Sequence, residues 1–255
     1  MFLSMTDTSC LGDVKQALQE AAMPNRRDIL QRFFKTRLGE YAEGDQFIGV
    51  MVPAIRKISK KFSDLSTHDT LCLLSSPVHE ERLLALFIMI IQFNKSNNCI
   101  KEEIYFSYIS HIQYVNHWDL VDQSAPFILG AFLLGRDKKL LFDFALSENL
   151  WKRRIAIVST FSFIKAHELD PTIQIAELLL KDHRDLIHKA VGWMLREVGK
   201  KQQAVLENFL DQHGAAMPRT MLRYAIEKFP QEKRLSYLAK KRGTMNAMNK
   251  SIPME

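Results

Sequence analysis

The sequence predicts an all-α protein, and three observations lead to this fold class. Apolar residues recur with helical spacing along almost the whole chain, and no segment is convincing as a strand. Only ten Gly and eight Pro occur in 255 residues, so the chain lacks the turns that an all-β fold with many hairpins requires. Five of the predicted helices also carry an alanine at a similar position, which indicates a structural repeat.

Helix boundaries follow from local signals along the chain. Proline fits the first turn of a helix, where its missing N–H group costs nothing, and Asn or Asp can cap a helix start. Residues 39–50 form the one clear irregular loop, which Gly39, Gly44 and Gly49 interrupt. The predicted helix starts, in chain order, are Asn25 as a cap, Pro53, Ser76-Pro77, Asp170-Pro171, Asp182 as a cap and Pro218.

The alanine repeat predicts how the helices are arranged. A period of 31–40 residues, with one helical hairpin per unit, is typical of a HEAT- or TPR-like solenoid in which a small residue lets neighbouring helices pack closely. We therefore expect a single HEAT-like domain over residues 1–239, a curved right-handed superhelix of about six antiparallel helix pairs with a concave face, and a basic tail over residues 240–255. A non-repetitive helical bundle is the alternative. The repeated alanines are Ala85, Ala125, Ala156, Ala190 and Ala225.

The distribution of charge is compatible with a polyanionic partner. The chain has 35 basic and 29 acidic side chains, a net charge of +6 that a solvated helical surface alone can produce. Residues 151–200 hold nine basic and six acidic side chains, however, and residues 240–255 hold four and one. A basic C-terminal half of this kind favours a polyanion such as a nucleic acid as the binding partner.

Cysteine content and hydropathy predict a cytoplasmic protein. Cys10, Cys72 and Cys99 are widely spaced, and their odd number and spacing fit neither a disulfide framework nor a zinc site. The longest purely apolar run, residues 83–91, has nine residues and is about half the length of a membrane span. The first residues lack the basic and apolar regions of a signal peptide.

Residues 114–122 bring an aromatic side chain and a carboxylate together. Trp118 and Asp122 are four residues apart near a predicted helix start, so they lie on one helix face. Each alone has an ordinary explanation, because a lone Trp is usually part of a core and the helix dipole favours an Asp in a first turn. Together they place a π surface beside a negative charge.

Two further segments carry locally unfavourable residues. Lys152, Arg153 and Arg154 open an otherwise apolar helix, where the helix dipole disfavours cations, so a phosphate group is a candidate partner. Gly192 precedes Trp193 inside a predicted helix, where Gly costs about 1 kcal/mol relative to Ala. That pair suggests close helix packing or room for a ligand. No phosphate-binding glycine loop, metal motif or nucleophile with a partner histidine is evident in the sequence.

Four segments together carry a family resemblance; in chain order they are FIGVMVPAIRK, HWDLVD, LWKRRIAI and KAVGWMLREVGK. In this order and at these separations, the chain resembles the bacterial HEAT-like-repeat DNA alkylation repair glycosylases of the AlkD type. The resemblance covers nearly the whole chain. It implies excision of cationic alkylated bases, such as 3-methyladenine and 7-methylguanine, from duplex DNA, with the lesion left in the base stack.

The resemblance also assigns roles to residues. It implies that Asp122 is the catalytic carboxylate, that Trp118 and Trp193 contact the sugar and backbone of the lesion, and that Arg154 lies beside a phosphate. His117 stands where many members have an aromatic residue, and Phe33 stands near a position that is tyrosine in some. The full set of expected DNA-binding residues is Phe33, Lys35, Arg56, Lys152, Arg153, Arg154, Lys189 and Arg196.

The implied chemistry is consistent with the residues available. Cleavage of an N-glycosidic bond passes through an oxocarbenium-like sugar, which a carboxylate and tryptophan faces stabilise. A cationic alkylpurine leaves as a neutral base and needs no general acid. We therefore expect a cofactor-free and metal-free monomer that acts on alkylated double-stranded DNA away from membranes. A non-catalytic protein that recognises altered duplex shape and a HEAT-like protein–protein adaptor remain the alternatives.

Overall fold

The computed structural model describes residues 10–239, and this part of the chain confirms the all-α prediction. No strand forms among the described residues, and one isolated parallel bridge joins Gln46 to Val78. Within the same residues, every helix is too short or too polar to cross a membrane. The predicted basic tail, residues 240–255, lies outside the described residues.

Contacts divide the chain into two compact units, the first ending at Phe132 and the second beginning at Leu133. The prediction that both belong to one repeat domain stays a prediction. The helices of the first unit are α1 (Leu11–Glu20), α2 (Pro24–Phe33), α3 (Val52–Lys61), α4 (Thr67–Leu74), α5 (His79–Lys95), α6 (Asn98–Ser110) and α7 (Trp118–Ser124), followed by a π-helical turn (Pro126–Gly130) and α8 (Ala131–Leu133), which contains the boundary. The second unit continues with α9 (Lys139–Ala145), α10 (Leu150–Ser159), α11 (Phe161–Lys165), α12 (Asp170–Leu178), α13 (Asp185–Lys201), α14 (Gln203–His213), α15 (Arg219–Ala225) and α16 (Gln231–Ala239).

Helix α5 forms the centre of the first unit. It contacts α1, α3, α4, α6 and α7, and its residues 79–89 are all buried. The helix begins at His79, two residues after the predicted start at Ser76-Pro77, because Val78 is still extended and acts as the N-cap residue. The first turn of α5 therefore lies inside the unit, where its polar side chains need buried partners.

The irregular loop of residues 39–50 is fixed to α5 at its C-terminal end. The backbone N–H groups of Ile48, Gly49 and Val50 all donate to the buried carboxylate of Glu80, at 2.8–3.2 Å. Gly49 has a φ of +93°, and a Cβ atom there would collide with the carbonyl group of Met23. This anchoring places the loop residues Asp45 and Phe47 beside the start of α5.

Helix α13 has the corresponding central place in the second unit. It contacts α10, α11, α12, α14 and α15. At Gly192 the backbone of α15 approaches so closely that a Cβ atom would lie 2.5 Å from the Met221 carbonyl oxygen and 2.5 Å from Tyr224 Cβ. The close-packing interpretation of the Gly192-Trp193 pair is confirmed.

The repeated alanines occupy equivalent buried positions, as the repeat predicts. Their exposed fractions are 0–1%, and four of them lie within helices α5, α10, α13 and α15. The fifth, Ala125, joins α7 to the π-helical turn. Small buried residues at these points let helices approach one another closely, which supports a helical-repeat fold.

Three helix starts agree with the sequence prediction, and the two predicted capping residues do not. Pro53 and Pro171 lie in first turns, and Pro218 is the N-cap residue of α15. The prediction of Asn25 as a cap is wrong, because α2 already begins at Pro24, whose fixed φ suits a first helical position. The prediction of Asp182 as a cap is also wrong, since α13 begins at Asp185 and the Asp182 carboxylate accepts a hydrogen bond from Arg153.

Candidate active site

An aromatic and acidic surface forms where α7 meets the end of α2. Trp118 and Asp122 are the first and fifth residues of α7, and both are partly exposed. Phe33, the last residue of α2, is 62% exposed, and its ring meets that of Trp118 edge to face with centroids 6.1 Å apart. The first unit thus brings together three of the residues that the sequence singled out.

Arg56 links α3 to the same part of α7. Its guanidinium group donates to Gln123 Oε1 at 2.5 Å and lies 4.3 Å from the centroid of the Phe87 ring. Gln123 follows Asp122 directly, so this exposed cation is attached to the helix that carries the candidate carboxylate. Lys35 is exposed after α2, with a left-handed φ of +56°, and its Nζ lies 5.9 Å from the centroid of the Tyr41 ring.

Helix α2 presents cations that the sequence reasoning did not single out. None of its residues is buried, and Arg26, Arg27 and Arg32 are all exposed. The helical spacing of Ile29 and Phe33 suggests a core face, but both side chains are exposed. The signal that could have identified this helix is its basic composition, three arginines to one aspartate.

A chain of buried charged groups lies directly behind this surface. His79 Nδ1 lies 3.0 Å from Asp45 Oδ2, and His79 Nε2 lies 2.8 Å from Asp119 Oδ2. An ionised carboxylate can only accept, so each ring nitrogen must carry a proton and His79 is an imidazolium. Arg82 donates to Asp45 at 2.7 Å, and the two acids and two cations compensate each other in charge.

The electrostatics of this chain follow from burial and charge pairing. Burial opposes the charged form of His79, but the carboxylates of Asp119 and Asp45 outweigh it and raise the pKa of His79. Burial alone would also raise the pKa of Asp119, whereas the charge on His79 and the hydrogen bonds from both histidines hold that pKa well below its usual range. Both pKa shifts therefore favour the charged forms, Asp119 as a carboxylate and His79 as an imidazolium.

His79, His117 and Asp119 place three potential metal-ligand atoms within 4.8 Å of one another. Two ligands of one zinc ion, each at about 2.1 Å from it, are about 3 Å or more apart. His117 Nδ1 lies only 2.5 Å from Asp119 Oδ1, which is a hydrogen-bond separation. Mutual hydrogen bonding and ion pairing account for this cluster.

In the second unit, the cations that open α10 have acceptors within the protein. Arg153 donates through Nε to Asp182 at 2.6 Å and through Nη1 to the carbonyl groups of Ser147 and Glu148. Arg154 is 5% exposed and donates to the Leu186 carbonyl group. These acceptors explain how cations are stable at a helix start where the dipole opposes them.

The other predicted residues of the second unit are more exposed. Trp193 is partly exposed on α13, and its ring lies 6.1 Å from that of Phe161. The three remaining cations each have a neighbour: Lys152 Nζ is 5.5 Å from the Phe144 ring, Lys189 pairs with Asp185 at 2.7 Å, and Arg196 pairs with Glu197 and Glu227.

Comparisons with known proteins agree with this description. A protein-family model described as "DNA alkylation repair enzyme" matches residues 14–229. A solved structure titled as a predicted DNA alkylation repair enzyme from Enterococcus faecalis is similar with a TM-score of 0.65, covering 82% of this chain and 97% of that one. The two sequences are 15% identical, so this likeness shows the fold alone. A search of curated proteins found no match.

Proposed function

Since the chain belongs to the family of DNA alkylation repair enzymes, we propose that it is a DNA glycosylase for positively charged alkylpurines in duplex DNA. Its substrates would include 3-methyladenine and 7-methylguanine, and it would release them without flipping the base. The observation that carries this proposal is the joint placement of Trp118 and Asp122 on α7, with the exposed ring of Phe33 against Trp118.

These residues suit the reaction in a specific way. As the N-glycosidic bond breaks, positive charge moves onto the deoxyribose, and the Asp122 carboxylate would stabilise that charge and orient the attacking water. The tryptophan face would attract the same cation by about 0.5–2 kcal/mol. An alkylpurine carries its own positive charge and departs neutral, so the reaction needs no general acid, cofactor or metal.

The exposed cations of the first unit suit the phosphates on either side of a lesion. Arg26, Arg27 and Arg32 extend along α2, and Lys35 and Arg56 lie after it and beside α7. Contacts of this kind position a duplex without reading its sequence, and they make binding weaken steeply with salt.

The second unit would supply further contacts to the same duplex. In this proposal Trp193 contacts the sugar and backbone at the lesion, and Arg154 contacts a nearby phosphate. Lys152, Lys189 and Arg196 would bind other phosphates. Arg153 would contribute less than Lys152 and Lys189, because its guanidinium already donates to Asp182 and two carbonyl groups.

The experiment that tests this function is an assay of purines released from methylated duplex DNA. The wild-type protein should release free base, and the Asp122→Asn variant should not release it at a comparable rate. Binding that is steep in salt without any release would identify a non-catalytic DNA-binding relative. Neither release nor salt-dependent binding would favour a protein–protein adaptor.

A further inference from the structure

We propose that the buried chain Asp45–His79–Asp119 positions α7, and through it Trp118 and Asp122, for the reaction. The effect of this chain on base release rests on the proposed glycosylase function, whereas its effect on the position of Trp118 can be measured without that function. The three residues make no contact with the reacting atoms in this proposal. They are positioning residues that act through the helix.

The first step of the argument is the pairing of Asp119, which follows Trp118 directly. One carboxylate oxygen of Asp119 accepts from His79 Nε2, and the other lies 2.5 Å from His117 Nδ1 and accepts from the Leu120 N–H group at 2.8 Å. Asp119 is 7% exposed, and His117 is fully buried. One buried carboxylate therefore holds the side chain that precedes Trp118 and the backbone N–H group two residues after it.

The second step is the attachment of this side chain to the core. His79 is the first residue of α5, the central helix of the unit, and its ring stacks on Phe34 and Phe47 with centroids 5.3 and 4.5 Å apart. Asp45 pairs with the far side of the ring and is itself held by Arg82. A rigid body of core residues thus fixes the direction in which Nε2 points.

The third step concerns α7 itself, which has only seven residues. Its C-terminal end continues through Ala125, itself helical, into the π-helical turn, whereas its first turn, which carries Trp118, lies at a helix end whose orientation depends on tertiary contacts. Its C-terminal end is held by the Ser124 hydroxyl, which donates to the Leu120 carbonyl group and lies 3.0 Å from the buried Tyr108 hydroxyl. The His79–Asp119 pair is the counterpart of that contact at the N-terminal end.

The test is the His79→Gln variant, because a glutamine side chain carries no charge and has both of its donors on one terminal nitrogen, not on two sides of a ring. We expect the first-order rate of base release to fall at least tenfold, since small misplacements of reacting groups are costly. DNA affinity should stay within about twofold, because no phosphate-binding group is altered. An unchanged release rate overturns the proposal.

Two further variants separate positioning from general loss of stability. Gln92→Met removes hydrogen bonds from the other end of α5 to the carbonyl groups of Ser63 and Leu65, and it should leave the release rate unchanged. Asp45→Asn changes the chain at the residue furthest from α7, and it serves if His79→Gln does not fold. A lowered rate in Gln92→Met equal to that in His79→Gln would show that the effect is not specific to the chain.

The decisive measurement is a double-mutant cycle with Asp122→Asn. If His79 acts through Trp118 and Asp122, adding His79→Gln to Asp122→Asn should cause a smaller loss of rate than His79→Gln causes in the wild-type protein. Losses that multiply would overturn the proposal.

A fluorescence measurement decides the structural claim without any activity. With Trp151 and Trp193 replaced by Phe, Trp118 is the one remaining tryptophan. His79→Gln should then raise the acrylamide quenching of Trp118 by about twofold, and Gln92→Met should not. If the wild-type protein releases no base but this shift occurs, the proposed function fails and the positioning role stands. An unchanged Trp118 signal means that the positioning role fails.

Discussion

Replacing Asp122 by Asn should lower base release alone, whereas replacing Asp119 by Asn should lower fold stability together with base release, because Asp119 positions the same helix. The two side chains differ in surroundings although they are three residues apart. Asp122 is partly exposed beside Trp118, whereas Asp119 is buried and paired with His79. Asp122→Asn should therefore lower base release while the fold is kept, and Asp119→Asn should lower the free energy of unfolding.

The sizes of both effects follow from these surroundings. A tenfold loss of excision in Asp122→Asn, the smallest that we expect, corresponds to about 1.4 kcal/mol of activation free energy. Removing one partner of a buried ion pair costs about 3–5 kcal/mol, which is a large share of a total stability of about 5–15 kcal/mol. For a chain of this size, Asp119→Asn should lower the melting temperature by roughly 6–20 °C.

The same pair predicts how stability changes with pH. The lowered pKa of Asp119 means that its contribution is complete above the ordinary value of 3.8 and is lost as the pH falls through the lowered folded value. The raised pKa of His79 means that its contribution is complete below 6.5 and is lost as the pH rises through the raised folded value. Asp119→Asn should therefore make the acid side of the stability profile shallower.

The assay combines thermal unfolding at several pH values with single-turnover base release at a temperature where both variants are folded. Base release by Asp122→Asn at nearly the wild-type rate would remove Asp122 from the mechanism. A wild-type melting temperature in Asp119→Asn would refute the stabilising role of the buried pair.

Three other predictions concern the second unit and the substrate. Arg154→Ala should weaken binding to damaged and undamaged duplex equally and lower the salt slope by about one, and a loss of melting temperature alone would identify a structural cation. Gly192→Ala should lower the free energy of unfolding by about 1–3 kcal/mol, because the new Cβ atom would meet the backbone of α15. Gly199→Ala should cost less, because its Cβ atom would meet the side chain of Leu206, which can move. Equal losses in the two variants would contradict this reasoning. In one competition assay with matched duplexes, N3- and N7-alkylpurines, including bulkier ones, should be excised, and efficient release of uracil or hypoxanthine would refute the dependence on lesion charge.

Sequence periodicity predicted the fold because it reports directly on burial. The alanine spacing identified Ala85, Ala156 and Ala190 as points of close packing, and each is almost fully buried. Proline positions also predicted helix starts correctly, since proline restricts its own backbone regardless of tertiary surroundings. Asp182 failed as a cap because α13 begins three residues later, and its carboxylate instead accepts from the backbone N–H group of Arg184 and from the side chain of Arg153.

The buried chain behind the candidate site could not be read from sequence. Asp45, His79 and Asp119 are separated by 34 and 40 residues, and each has an ordinary role when considered alone. The anchoring of the loop to α5 brings Asp45 to His79, and the packing of α7 against α5 brings Asp119 to the same ring. The sequence did place Trp118 and Asp122 on one helix, because their four-residue spacing is a local property that needs no tertiary information.

The exposure of α2 has a consequence for how the first unit would respond to a ligand. Because α2 buries none of its side chains, its local opening exposes little apolar surface and costs little free energy. Its amide protons should exchange with solvent much faster than those of the buried helix α5. Phe33 can therefore leave Trp118 and contact a ligand, while the buried residues beneath Trp118 keep their positions. The first unit thus combines a locally flexible helix with a preorganised set of buried residues.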